Sequence, residues 1–277
     1  IAFGIFFFAA ALFLVKEPMA SSFIFALGMV VAFIPEGLLP TVTLSLAMAV
    51  QRMVKRNALV KKLSSVETLG STSVICTDKT GTLTQNEMTV NHLWLAGKEY
   101  EVTGVGYEPK GDILKDGKKF VADDDEDMKL LLTAAALCSN ARLLPPDEES
   151  PRYTVLGDPT EACLGVVAEK AGIDVQEQIR TTPRLRELPF ESRRKRMTTI
   201  HQLSEPVEGT VRIAYVKGAP KEVMKLSESI RINGEVQPIT EEMRAEIMKA
   251  NDGYAREGLR VLAVSYRLLH KDDDIPK

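Results

Sequence analysis

The sequence predicts a transmembrane α-helical hairpin attached to a cytoplasmic part of mixed α/β and α+β class. Three observations predict it. An apolar run fills residues 19–50 behind a shorter one at residues 1–15. A short apolar stretch then breaks into a polar loop at Ser73-Val74-Ile75-Cys76-Thr77-Asp78-Lys79-Thr80-Gly81-Thr82-Leu83-Thr84. From residue 88 onward, alternating, turn-rich segments are interleaved with helical ones. The length of 277 residues leaves room for more than one domain, and 45% apolar residues suffice for their cores. A net charge of -3 and a pI near 5.8 give no reason to expect nucleic acid, which usually draws on a basic patch. Cys76, Cys138 and Cys163 are odd in number and far apart, which suits reduced thiols in a cytosolic setting and no disulfide framework. His92, His201 and His270 are equally scattered, so no metal-ligand cluster is visible.

A bilayer core needs roughly 20 apolar residues in a helix, so residues 19–50 can span and residues 1–15 form a shortened span. Lys16-Glu17-Pro18 separates the two. A signal peptide is an alternative for the first run, but it has no basic leading segment and no obvious cleavage site. A buried helical hairpin is the soluble alternative, and the length of the second run argues against it. Arg52, Lys55, Arg56, Lys61 and Lys62 direct the following chain to the cytoplasm. Because the sequence opens at Ile1 inside an apolar run, a piece of a longer protein is expected.

The second run is flawed in its middle by Ile34-Pro35-Glu36-Gly37, with Pro40 just beyond. Pro35 cannot donate a helical hydrogen bond and Gly37 loosens the turn, so nearby carbonyls lose partners. Freed carbonyls in hydrocarbon need protein or a water-filled cavity beside them, and an ionisable Glu36 there is expensive without a purpose. Two readings stand: an all-oxygen site for a hard cation, or a kink with a protonated Glu36 packed on a neighbour. Residues 41–56 contain no Gly or Pro and predict one rigid helix leaving the membrane.

Val74 and Ile75 predict a buried strand whose carboxyl edge presents Asp78, where open α/β folds place their chemistry. A carboxylate there can accept a phosphoryl group while Lys79 and the Thr hydroxyls hold phosphate oxygens. An Asp that merely starts a turn is the plainer reading of the same position. The string Asp78-Lys79-Thr80-Gly81-Thr82-Leu83-Thr84 resembles the phosphorylation motif of the P-type cation-transporting ATPases. The resemblance implies that Asp78 is phosphorylated by ATP, that Lys79 and Thr80 assist, and that Asp78 and Thr80 hold Mg2+. The segment around Pro35 resembles the fourth transmembrane helix of that family. It implies that Glu36 and the main-chain carbonyls of Val31, Ala32 and Ile34 line the ion site. The absence of Cys at this proline motif points to Na+, K+, Ca2+ or H+ rather than copper or zinc. Pro35-Glu36-Gly37-Leu38-Leu39-Pro40 and Ser65-Val66-Glu67-Thr68-Leu69-Gly70 most resemble the sodium, potassium and calcium pump branch. The loop also resembles the wider haloacid-dehalogenase-like superfamily. Phosphatases of that superfamily carry a second Asp two residues after the nucleophile, whereas this chain has Thr80.

After the loop, residues 88–95, 98–105 and 111–121 predict short strands. The acidic run at residues 123–127 predicts an exposed helix N-terminus, followed by a helix over 128–144 that Pro145-Pro146 ends. Residues 159–170 predict a second helix, with Gly157-Asp158 before it and Gly172 after it. Two strands around a loop at 204–209 come next, then helices over 221–228 and 241–256 and a strand over 259–269. Four pieces resemble the family's nucleotide-binding domain in its order. In Gly157-Asp158-Pro159-Thr160-Glu161-Ala162, Glu161 would face the adenine amino group. In Pro189-Phe190-Glu191-Ser192, Phe190 would stack on the base, with Lys195 and Met197 lining the pocket behind it. Lys217 and Gly218 of Lys217-Gly218-Ala219-Pro220 would allow close approach of the ligand. In Gly258-Leu259-Arg260-Val261-Leu262, Arg260 would lie near the phosphates and Leu262 near the base. Alone, Phe190 suits a core, Arg193-Arg194-Lys195-Arg196 a solvated face, and Lys217-Gly218 a strand exit.

Together these expectations define a pump fragment from the third transmembrane segment through the nucleotide-binding domain. Residues 1–56 are the transmembrane hairpin and stalk, and residues 57–90 the start of an incomplete haloacid-dehalogenase-like phosphorylation domain. Residues 91–277 are the inserted nucleotide-binding domain. The implied partners are ATP and Mg2+, a hard cation, the lipid bilayer and the rest of the pump chain, in a multi-pass membrane protein. The alternatives are a membrane-tethered phosphatase and an ATP-binding module without turnover.

Overall fold

The computed structural model describes residues 1–35, 37–122, 125–148, 150–270 and 273. The chain forms two compact units, Ile1–Thr77 and Asp78–Lys277.

The first unit is helical. Helix α1 (Ala2–Ala9) continues through wider turns over Ala10–Leu14, closed by the Val15 N–H donating to the Ala10 carbonyl at 3.2 Å. Lys16, at φ 60, reverses the chain ahead of α2 (Met19–Ala32). The two helices meet through edge-on ring pairs, Phe7 with Phe25 and Phe8 with Phe23, at 6.3 and 6.4 Å between centroids. Helix α2 ends at the break expected from the sequence. Pro35 has no N–H for the Val31 carbonyl, which accepts the Ile34 N–H at 3.0 Å instead. Helix α3 (Leu38–Val54) starts earlier than the predicted residue 41 and takes Pro40 into its first turn, where a missing donor breaks no bond. Helix α4 (Leu63–Gly70) follows. Among the described residues no helix is long and apolar enough to cross a membrane, since the run at residues 19–50 is divided between α2 and α3. Glu36, expected at the ion site, lies outside the described residues. The strand expected at Val74 and Ile75 is absent from the described residues, and the two side chains are 72% and 87% exposed. No described strand pairs with them, and an unpaired extended segment cannot take its backbone N–H and C=O groups into a core.

The second unit contains the predicted alternation of strands and helices. Strands β1 (His92–Leu95), β2 (Lys98–Val102), β3 (Ile113–Lys115) and β4 (Lys118–Phe120) form an antiparallel sheet in chain order. Ala96-Gly97 and Asp116-Gly117 have positive φ at both positions, the geometry of the tightest hairpins. Helix α5 (Glu126–Leu137) is shorter than the predicted 128–144. Its Asp125 cap accepts the N–H groups of Asp127 and Met128 at 3.0 Å each. Asp127 is more than a dipole partner: it is 7% exposed and pairs with Arg231 Nε at 2.7 Å. The Asp123 and Asp124 part of that acidic run lies outside the described residues. Residues past the helix form β5 (Arg142–Leu144), paired with β6 (Thr154–Leu156).

Helix α6 (Pro159–Lys170) has the predicted bounds, and the unpredicted α7 (Val175–Thr181) follows. Strands β7 (Arg184–Glu191), β8 (Arg196–Val207) and β9 (Thr210–Gly218) come next, the last two turning at Glu208-Gly209. Helix α8 (Pro220–Leu226) leads to an unpredicted hairpin of β10 (Ser229–Ile232) and β11 (Glu235–Pro238). Helix α9 (Glu241–Arg256) matches its predicted span, and β12 (Ala263–Leu269) completes an antiparallel sheet ordered β12-β9-β8-β7. Helix α5 lies between the two sheets. Met128, Leu132 and Ala136 pack on Tyr100, Val102 and Ile113, while Ala134, Leu137 and Cys138 pack on Met197, Ile213 and Tyr215. Its many alanines let both sheets approach closely, and the ends of β9 and α6 are thereby brought together.

Candidate functional site

The register of the second sheet puts Met197, Lys217 and Val264 in one row across β8, β9 and β12. Lys217 is 6% exposed, a depth that an ammonium tolerates only with a partner. The partner is Glu161, whose Oε1 lies 2.7 Å from Lys217 Nζ. Glu161 stands in the first turn of α6, which Asp158 caps by accepting the Thr160 N–H at 2.7 Å. Its second oxygen, Oε2, accepts the Asn140 N–H at 2.6 Å. The carboxylate is thus held at both oxygens, and each oxygen keeps a lone pair for a further donor. Burial pushes the Asp158 carboxyl up, but hydrogen bonds from Thr160 and the Glu161 backbone, with the Arg260 charge, together leave the group below its ordinary value. Arg260 reaches the same turn, donating from Nη1 to Thr160 Oγ1 at 3.0 Å.

The turn between β7 and β8 forms a second constellation. Lys195, at φ 50, donates its N–H to the Glu191 carbonyl at 2.7 Å and accepts the Ala219 N–H at 2.9 Å. This brings the turn onto Gly218. A Cβ at position 218 would lie 2.7 Å from Arg196 Cβ, 2.8 Å from Arg196 Cα and closer still to the Lys195 carbonyl oxygen. Phe190 is 61% exposed and sits where the β7–β8 register slips between Leu188 and Glu191. It is two strands from Lys217 across the sheet, about 10 Å at the usual strand spacing. At the start of this unit, Asp78 Oδ1 accepts the Lys79 N–H at 2.7 Å. Gly81 takes φ 74, and Thr84 closes the turn on the Lys79 carbonyl through its N–H at 3.2 Å and its hydroxyl at 3.3 Å. Asp78, Lys79 and Thr80 are all exposed.

Residues 127–275 match the family model described as P-type ATPase, cytoplasmic domain N. The chain belongs to the P-type ATPases. It is 41% identical over 250 residues to a calcium-transporting ATPase of Bacillus subtilis (strain 168), covering 89% of this chain and 27% of the relative. It is 39% identical over 245 residues to sodium/potassium-transporting ATPase subunit alpha-4 of Rattus norvegicus, covering 88% and 23%. It is 36% identical over 287 residues to potassium-transporting ATPase alpha chain 2 of Homo sapiens, covering 99% and 26%. The chain therefore spans about a quarter of the length of these relatives.

Within this P-type ATPase chain the expected nucleotide residues other than the exposed Phe190 fall into three groups. Glu161 and Lys217 touch directly, with Arg260 joined to them through the α6 turn. Lys195 and Gly218 meet at the hairpin. Met197 and Leu262 lie inward: Met197 is 1% exposed in the core beneath the sheet, and Leu262 packs half-buried on Ala135, Cys163 and Leu164. Glu161 also lines a cavity of about 310 Å³, together with Asn140, Arg184 and His201. The sequence reading missed Asn140 and Thr160. Asn140 acts through its backbone N–H and so leaves no side-chain signature, whereas Thr160 stands two residues after a legible cap.

Proposed function

We propose that the intact protein drives a cation across a membrane by forming an aspartyl phosphate on Asp78, and that this chain is one segment of it. The observation that carries this reading is the Lys217–Glu161 pair, in which the ammonium is buried and the carboxylate stays partly exposed, on the unit that also exposes Phe190, Lys195 and Arg260. An exposed aromatic ring and exposed cations on one unit suit a base joined to a polyanion. Glu161 keeps acceptor lone pairs for an amino group on the base, while Gly218, expected to admit the ligand, instead admits the Lys195-Arg196 turn that packs on it and so holds Lys195 in place. Met197 and Leu262 form the apolar floor beneath.

The fit to ATP rests on this chain's own side chains: Phe190 binds the base, Glu161 orients it by accepting from its amino group, and Lys195 and Arg260 hold the phosphates. An Asp78 carboxylate oxygen attacks the γ-phosphorus, the bond to the β,γ-bridging oxygen breaks, and ADP leaves with that electron pair. Lys79 holds phosphate oxygens during the transfer. Asp78 and Thr80 offer the oxygen donors that Mg2+ prefers, and a bound Mg2+ would neutralise developing charge. Thr80 carries no acidic proton, so rapid hydrolysis of the acyl phosphate is not favoured, unlike in a phosphatase.

Residues 1–56 are assigned to the membrane and stalk, residues 57–90 to the start of a haloacid-dehalogenase-like phosphorylation domain, and residues 91–277 to nucleotide binding. The exposed apolar side chains of the first unit, among them Phe6, Phe13 and Leu39 at 64%, 75% and 76%, support a lipid-facing role. Glu36 and the carbonyls of Val31, Ala32 and Ile34 would take Na+, K+ or Ca2+. The relatives' printed names, which include calcium, sodium/potassium and potassium transport, support a hard cation.

The test is calorimetric titration of the 277-residue chain with ATP in detergent. Saturable binding is expected, weakened severalfold in Phe190→Ala, because aromatic stacking contributes about 0.5–1.5 kcal/mol beyond burial. A folded chain that takes up no ATP would sink the reading.

A further inference from the structure

Arg184, the first residue of β7, closes the end of α5 from 47 residues away. Its Nη2 donates to the carbonyls of Leu137 and Ser139 at 2.9 and 2.6 Å, and its Nη1 to Asn140 Oδ1 at 2.5 Å and Glu187 Oε2 at 3.0 Å. Asn140 Nδ2 completes the ring by donating to Glu187 Oε1 at 2.8 Å. One planar guanidinium therefore fixes the orientation of the Ser139-Asn140 turn, which a single point charge cannot do. That turn delivers the Asn140 N–H to Glu161 Oε2 at 2.6 Å, opposite the oxygen that meets Lys217. The direction of the Glu161 carboxylate is set by these two contacts together.

The direction matters for which base can bind. A carboxylate accepts hydrogen bonds and donates none, so it favours an amino group at the purine 6-position and repels a carbonyl oxygen there. We propose that Arg184 is a positioning residue that sets preference for 6-aminopurine over 6-oxopurine nucleotides by holding the Asn140 N–H on Glu161. This rests on the reading that Glu161 faces the base.

Paired titrations of the full chain with ATP and with GTP test it, in the wild type and in Arg184→Ala and Arg184→Lys, with folding followed by circular dichroism. In Arg184→Ala the ATP affinity falls about tenfold while the GTP affinity barely changes, a loss of selectivity equivalent to ~1.4 kcal/mol. Arg184→Lys, which keeps the charge and loses the fork, falls between, and the Asn140 amide exchanges faster with solvent in both variants. If Arg184→Ala does not fold, Arg184→Lys carries the test. An unchanged ATP-to-GTP ratio in a folded variant that still binds ATP overturns the inference alone. So does an equal fall in both affinities, which marks a merely structural role. A wild type that binds no ATP removes the nucleotide reading and this inference with it.

Discussion

The Lys217 ammonium lies 2.7 Å from the Glu161 carboxylate, with the two side chains 8% and 16% exposed, so each charge depends on the other rather than on water. Removing one partner leaves the other buried and uncompensated, at a cost of about 3–5 kcal/mol. Lys217→Met and Glu161→Gln are therefore each expected to destabilise the chain. The double variant is expected to recover much of that loss, because neither residual group is then charged. Urea unfolding of the four proteins measures the coupling. Strictly additive losses would mean that the pair does not act as one unit.

Two glycines are expected to respond to alanine with opposite signs. At Gly218 the added methyl meets Arg196 at 2.7 and 2.8 Å and the Lys195 carbonyl oxygen, so backbone must move. Overpacking of this kind costs about 1–3 kcal/mol, and Gly218→Ala should weaken ATP binding as well. Gly253 lies inside α9 with nothing within 4 Å of its missing Cβ. Gly253→Ala should stabilise by about 0.5–1 kcal/mol through the unfolded chain. Thermal melts of the two variants, moving in opposite directions, check both arguments.

The parts of this fold legible in the sequence are those whose ends are written locally. Helix α6 is bounded by the Asp158 cap with Pro159 behind it, and α9 begins at Thr240, which accepts the Met243 N–H at 3.3 Å. Both helices match their predicted spans. The end of α5 is only partly written locally: Cys138-Ser139-Asn140 interrupts the Ala/Leu run well before Pro145, and distant Arg184 takes the Leu137 and Ser139 carbonyls. The β10–β11 hairpin turns on Asn233-Gly234, a readable signal, yet strands of four residues carry too little alternation to stand out. The site follows the same rule. Glu161 and Lys217 are 56 residues apart, so only the motif order suggested them together, and nothing suggested their direct contact. Met197 faces inward because Met197, Thr199 and His201 alternate onto the sheet face shared with Ile213, Tyr215 and Lys217.

The three thiols should separate cleanly in reactivity. Cys76 is exposed, while Cys138 and Cys163 are buried at 0% and 6% exposure. Burial pushes both buried thiols up, Cys163 to about 11. At pH 8 only about one thousandth of such a thiol is thiolate, the reactive form. Titration with a chromogenic disulfide is expected to consume one thiol quickly and the other two only on unfolding. Cys76→Ser should remove the fast phase. A fast phase that survives in Cys76→Ser would mean that the packing of α5 or α6 opens readily.

His201 should make the chain sensitive to mild acid. Its ring is 2% exposed, Nδ1 lies 2.9 Å from the Thr182 carbonyl, and Nε2 has no partner among the described residues. The Nδ1–H is therefore the donor, and protonation would put a second proton on a nitrogen with nothing to receive it. Burial lowers the imidazole's pKa; the Thr182 bond opposes this, and the nearby Arg184 charge adds to it. The unfolded chain then takes up the proton first, near the ordinary value of about 6.5. Stability from this group is present above that pH and is lost as pH falls toward the lower folded value, with a slope of at most ~1.4 kcal/mol per pH unit. In urea unfolding between pH 6.5 and 5.5, His201→Asn should lose less stability than the wild type, since its side chain does not titrate. An equal loss in a folded variant would mean that the wild-type ring accepts its proton without penalty, and that the interior beside Arg184 is wetter than its burial implies.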